Sequence, residues 1–266
     1  MKHVKLYTPI VSLLLLFSSC QKVIDLKLGN VTGKLVIEGN VTNAIGPQVF
    51  KLSTNVPFTN TNTYPPVSGA TVTVADQSGN SYLFTEGPAG TYTNSRLTGV
   101  PGNTYTMMVV SGGVTYTAVS TMPQVVALDS LGSQNTPLSS GSNPKKQVSV
   151  YYRDLAAVAN QYLFVEYVNG VQTDDIFVFN DEFNNGLAAN VVLRENDIDI
   201  YTGDTVTVQM QCIDQPNYLY WFSLSQQQNN GLGGGVTPSN PPTNISPASL
   251  GYFSAHTIQT QTIVVK

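Results

Sequence analysis

The chain is poor in the residues that most catalytic and nucleic-acid-binding proteins rely on. Of 266 residues only two are cysteine, two are histidine and one is tryptophan, and charged side chains make up 11%. A mature segment with a single histidine, His256, and no G-x-S-x-G elbow lacks the obvious parts of a Ser-His hydrolase. Twelve basic residues against sixteen acidic ones leave no surplus of Lys and Arg to displace phosphate counterions, which argues against a nucleic-acid partner. Beyond the N-terminus no apolar run approaches the roughly twenty residues a membrane-spanning helix needs. Polarity is carried instead by Asn, Ser, Thr, Gly and Gln, the composition of an exported β protein.

The one long apolar run lies at the start. Lys2, His3 and Lys5 precede the run 10–17 (IVSLLLLF), which is too short to span a bilayer, and Ser18-Ser19-Cys20 closes it. Two small residues before a cysteine match a lipobox, in which the Cys20 thiol is acylated and Cys20 becomes the new N-terminus; Phe17 departs from the usual Leu, Val or Ile. Residues 1–19 are therefore predicted to be a lipoprotein signal peptide. Their removal leaves ten basic and sixteen acidic residues, a net charge of −6. With Cys20 lipidated, Cys212 stands alone and no intramolecular disulfide is available, so the fold must stand on its core.

The remaining residues predict an all-β chain. Residues 33–42, 49–53, 70–75, 80–85, 90–94, 104–111 and 115–120 alternate apolar and polar positions between Gly, Pro, Asn and Asp turns, which suggests an N-terminal β-sandwich over 20–122. Residues 76–80 (DQSGN) form a hairpin loop, because Asp and Asn bond their own backbone and Gly takes positive φ. Pro123, Pro137, Pro144 and a Ser/Gly cluster mark 123–146 as a linker, its apolar start packed against one of the domains. Strand patterns resume at 147–153, 161–169, 175–180, 189–193 and 205–213, and two further runs, 250–255 and 257–265, close a second, mainly antiparallel β domain over 147–266. Residues 217–229 hold no Gly or Pro and precede a glycine run; they fit one helix, with a buried strand over 218–224 as the rival.

Several stretches together resemble an uncharacterised lipoprotein family of Bacteroidetes: LVIEGNVTN with the following Gly46-Pro47, VSGATVTVADQSGNSYLF, GVPGNTYTMMV, STMP and NPPTNISPASLGYFSAH. The likeness spans almost the whole mature chain. It implies a domain of unknown function on a lipid-anchored outer-membrane protein, facing the periplasm or the cell surface and encoded near TonB-dependent receptors. It implies no activity. Residues 66–72 (PVSGATV) with Asp76 and Gly79 are also similar to the start of a carboxypeptidase-regulatory or transthyretin-like sandwich.

Candidate sites are few. Trp221 and Tyr252, near the Asn-rich loop that holds Asn240 and Asn244, combine aromatic faces with amides, the means by which exported proteins grip sugars or peptides; burial in a second core is the competing account. Cys212 falls in an alternating strand and reads as a small buried hydrophobe. The acidic set around 197–204 has a calcium-like look but lacks the third acidic position, the central Gly and the terminal Glu of an EF-hand, the set around 174–182 flanks an apolar strand and reads equally as two solvated hairpin ends, and no metal or other cofactor is expected. Asp129-Ser130-Leu131 resembles an O-glycosylation sequon of the same phylum, with Ser130 the acceptor. The residues thus predict a non-enzymatic, lipid-anchored binding or accessory protein that takes a peptide or oligosaccharide, and the resemblance implies a TonB-dependent nutrient uptake receptor as its partner. The alternatives are a structural or adhesive envelope lipoprotein and, third, a hydrolase.

Overall fold

The structure, a computed structural model, describes residues 32–57, 63–137, 139–156, 158–183, 185–228 and 239–266. Residues 1–31, including Cys20 and the segment expected to be a lipoprotein signal peptide, lie outside the described residues. Among the described residues the fold is all-β with one helix.

The first half follows its alternation closely. Strands β1 (Leu35–Thr42), β2 (Gln48–Thr54), β3 (Thr71–Asp76), β4 (Ser81–Glu86), β5 (Thr91–Asn94), β6 (Thr104–Ser111) and β7 (Val114–Thr121) wrap one core. Strand β4 pairs with β5 on one side and β3 on the other, and so carries the chain from one layer of the sandwich to the other. Each strand sends every second side chain inward, as period two demands: Ile37 and Val41, Phe50 and Leu52, Val72 and Val74, Tyr105, Met107 and Val109 are all buried. Phe50 sits at the centre, edge-on to Phe84 at 4.8 Å and stacked with Phe253 at 5.9 Å. Gly39 leaves room for the Phe50 ring, since a Cβ there would lie 2.2 Å from it.

The second half is built on β8 (Leu128–Asn135), β9 (Lys146–Arg153), β10 (Gln161–Val168), β11 (Val171–Gln172), β12 (Phe177–Asn180), β13 (Ala188–Leu193) and β14 (Thr205–Ile213), followed by helix α1 (Gln215–Gln228), β15 (Ile245–Ser246) and β16 (Leu250–Val264). A small sheet in the order β13-β9-β8 contributes Val148, Val150 and Tyr152 to a second core. From β10 and β14 come Tyr162, Phe164, Val206, Val208, Met210 and Cys212. Asn169 and Gly170, at φ 50° and 83°, make the tight turn between β10 and β11, the Asn-Gly pairing that primed hairpin turns favour.

Two sequence expectations are corrected. Residues 128–135, read as linker, form β8 and pair antiparallel with β9, because Val126 and Leu128 are buried in the second core and carry the chain into register. The two closing runs are one fifteen-residue strand, β16. Its first half pairs in parallel with β1 and its second half antiparallel with β14, so the last strand belongs to both halves of the sheet. Gly251 allows the parallel approach: at φ 90° it lies against the Ile37 carbonyl, where a Cβ would come within 2.0 Å of the oxygen.

Between helix and strand, residues 215–228 adopt the helix. Asp214 caps it, accepting from the Asn217 backbone N–H at 3.2 Å, and Pro216 in the first turn needs no intrahelical donor. The same Asp214 carboxylate accepts from Ser120 Oγ at 2.6 Å and the Thr121 N–H at 3.2 Å, while Ser120 Oγ accepts from the Ala255 N–H at 2.8 Å. This polar knot ties the helix start to β7 and β16.

Candidate ligand-binding cleft

Because β16 joins both halves, β1, β16, β14 and β10 run side by side in one sheet. One face of that run covers the two cores, with Ile37, Val41, Phe253 and Ala255 over the first and Val206, Val208, Met210, Tyr162 and Phe164 over the second. Period two then assigns the intervening residues to the opposite face. Asn40 and Thr42, Ser254 and His256, Gln209 and Gln211, Leu163 and Val165 form the floor of a cleft of about 500 Å³. In register, Asn40 stands beside Ser254, Thr42 beside His256, and Gln211 between Leu163 and Ile258.

Helix α1 and the segment 172–176 form the walls. Trp221 lies on the cleft side of the helix, 5.2 Å from the ring of Tyr252 and 5.3 Å from Tyr220, which in turn meets Tyr252 at 5.0 Å. The helix therefore sorts the aromatic cluster into two groups: Tyr218 and Phe222, four residues apart, stack at 5.6 Å, and Phe222 lines a different cavity bounded by β12 and β13. Gln228 closes the wall, accepting from the Ile176 N–H at 3.2 Å and donating to the Asp174 carbonyl at 2.7 Å.

The cleft has little charge. Asp174 and Asp175 are its acids, and among the described residues no Lys or Arg lines it. Asp175 already accepts from the Asn196 backbone at 2.7 Å. His256 is buried and its Nδ1 lies 3.0 Å from Ser254 Oγ. Burial pushes its pKa down to about 4, so the imidazole is neutral at physiological pH. Burial also raises the Tyr220 hydroxyl to about 12, with Glu38 nearby adding to the shift, and raises Tyr252 in the same way. The Ser254–His256 contact is one that sequence reasoning did not anticipate, since the two are neighbours on one strand face only once 250–264 is known to be a single strand. No carboxylate hydrogen-bonds the imidazole among the described residues, so the orienting third group of a triad is missing.

Of the residues singled out from sequence, Trp221 and Tyr252 meet in this cleft. Asn244 does other work. Its side chain accepts from the Phe253 N–H at 3.0 Å and donates to the Phe253 carbonyl at 2.7 Å, holding the start of β16 as a neighbouring strand would. Asn240 is exposed and lies away from the cleft lining. Ser130 is exposed on β8, beside a bulge, rather than in an open linker. Cys212 is buried in the second core. Two of the acidic residues weighed for calcium are engaged elsewhere: Asp199 pairs with Lys145 at 2.6 Å, and Asp204 accepts from the Tyr201 N–H and from Asn169. Among the described residues no group of three or more His, Cys, Asp or Glu has metal-binding spacing. Sequence reasoning missed Gln209, Gln211 and Asn40. The signal was present in TVTVQMQC, whose alternate positions place two glutamines on the face opposite Val206, Val208 and Met210.

A family model described as a domain of unknown function (DUF4249) matches residues 21–262. The chain belongs to that family. Comparison with curated proteins found no match. No helix among the described residues is long and apolar enough to cross a membrane.

Proposed function

We propose that this DUF4249 protein is a lipid-anchored binding protein of the outer membrane, working beside a TonB-dependent uptake receptor and capturing its ligand in the cleft under α1. The lipobox ending in Cys20 supports the anchor, and the sequence resemblance supports the receptor as partner. The observation that carries the binding role is the cleft itself. Its volume of about 500 Å³ lies within the range of small-molecule sites, roughly 300–1,000 Å³. It combines an aromatic wall with a small set of polar side chains, the mixture that holds and orients a ligand. Its chemistry favours binding over catalysis, because the nucleophile–base contact it holds, Ser254 with His256, has no carboxylate behind it among the described residues.

The test is a pull-down of the native lipoprotein from membranes. A TonB-dependent receptor is expected to come with the wild type. Cys20→Ala is expected to abolish labelling by palmitate analogues and to release the protein from the outer membrane; labelling that persists would defeat the lipobox assignment. Ligand capture should weaken in Trp221→Ala while circular dichroism and the thermal melt keep their wild-type form.

A further inference from the structure

We infer that the cleft takes a neutral oligosaccharide, an inference that rests on the cleft being the capture site. The glutamines of two neighbouring strands point the way. On β16, Gln259 and Gln261 are spent on the backbone of the preceding segment: Gln259 donates to the Val126 carbonyl and accepts from the Leu128 N–H at 3.2 Å, and Gln261 donates to the Leu128 carbonyl at 2.6 Å. On β14 the pattern differs. Gln211 Nε2 donates to Gln209 Oε1 at 2.7 Å, which leaves Gln209 Nε2 and Gln211 Oε1 as a donor and an acceptor side by side on the cleft floor, without a partner among the described residues. A pair of vicinal hydroxyls, each able to give and to receive a hydrogen bond, matches that arrangement.

Other ligand classes fit less well. A carboxylated or phosphorylated ligand would meet Asp174 and Asp175 with no Lys or Arg among the described lining residues to offset them. A cation would need converging free carboxylates, and Asp175 is already held by the Asn196 N–H. An extended peptide that binds by strand addition needs an open sheet edge. At Gln209 and Gln211 the floor is closed on both sides, by Val165 and Leu163 of β10 and by Thr260 and Ile258 of β16. Recognition must therefore come from side chains. The Trp221 and Tyr252 rings supply flat apolar faces for the C–H face of a sugar, and Asn40, Gln209 and Gln211 supply the amides.

The only tryptophan of the chain lies in this cleft, so its fluorescence reports occupancy directly. The full-length protein in detergent is titrated with maltohexaose, cellohexaose, xylohexaose and mannohexaose, with an oligogalacturonate, and with a tetra-alanine peptide blocked at both ends. At least one neutral hexaose is expected to shift Trp221 emission, and Gln209→Ala with Gln211→Ala to weaken that binding roughly tenfold with circular dichroism unchanged. No response to any neutral hexaose, or tighter binding of the peptide or the oligogalacturonate, overturns the saccharide assignment. If the peptide binds and the double glutamine variant loses it, the ligand class falls while the cleft stands as the capture site. If no probe shifts Trp221 and the membrane pull-down is the same for wild type, Trp221→Ala and the double glutamine variant, both inferences fall.

Discussion

The two cores of this molecule treat polar groups differently. In the first, buried polar groups are matched to nearby backbone. The Tyr92 hydroxyl donates to the Val67 carbonyl and accepts from the Ala70 N–H, the Tyr105 hydroxyl accepts from the Val100 N–H at 2.7 Å, and Asn94 and Gln48 satisfy the turns around them. In the second, the Tyr162 hydroxyl donates to Asp154, but both carboxyl oxygens of the fully buried Glu166 and one of Asp181 have no hydrogen-bond partner among the described residues. Burial, with Glu195 and Asp175 close by, raises the Glu166 pKa to about 8. One core is a closed apolar support. The other carries a proton-dependent group one residue away from Val165 and Tyr167 of the cleft lining.

The largest expected effect tests the first core. Phe50→Ala should cost about 3–5 kcal/mol in chemical denaturation, because it empties the space between Phe84 and Phe253. A loss under about 1 kcal/mol would mean that the aromatic centre collapses without penalty, and the contrast between the cores would weaken.

Glu166 sharpens the comparison from the other side. Its folded pKa of about 8 lies above the ordinary carboxylate value of 4.5, so the folded state holds a proton that the unfolded chain gives up. The wild type should therefore lose stability as pH rises from about 4.5 to about 8, by a few kcal/mol in all, and change little from this source above that window. Glu166→Gln, which stays neutral, should flatten that slope in melts taken across the window. An unchanged slope would show that Glu166 does not govern it.

The smallest effect separates two asparagines that look alike in sequence. Asn244→Ala should cost about 1–3 kcal/mol, since the Phe253 N–H loses its partner and its carbonyl keeps only the Asn217 amide, at 3.0 Å. Asn240→Ala, at an exposed position, should stay within about 0.5 kcal/mol. Equal melts for the two variants would remove Asn244 from the support of β16.

Much of this was legible beforehand where the signal was local. The strands of the first sandwich, the 76–80 hairpin loop and the buried Cys212 follow from alternation and turn chemistry, which operate over a few residues, whereas residues 217–229 fitted both a helix and a buried strand until Asp214 was seen to cap the helix. Strand β8 was hidden because Asp129, Ser130, Gly132 and Ser133 interrupt any apolar alternation, and a polar strand edged by prolines looks like a linker. The long last strand was hidden for the opposite reason: residues 253–257 are all buried, so the alternation that marks a half-exposed strand is absent.

By itself, the sequence determined which residues seek the interior and where the chain turns, because these depend on side-chain polarity and on backbone preferences of single residues. Only the tertiary structure decided that β16 lies between β1 and β14. That pairing brings Asn40, Gln209, Trp221 and Tyr252 to one cleft from positions up to 212 residues apart. Strand pairing across such distances is set by the register of backbone hydrogen bonds and by the fit of both cores at once, and neither is written in the pattern of one strand.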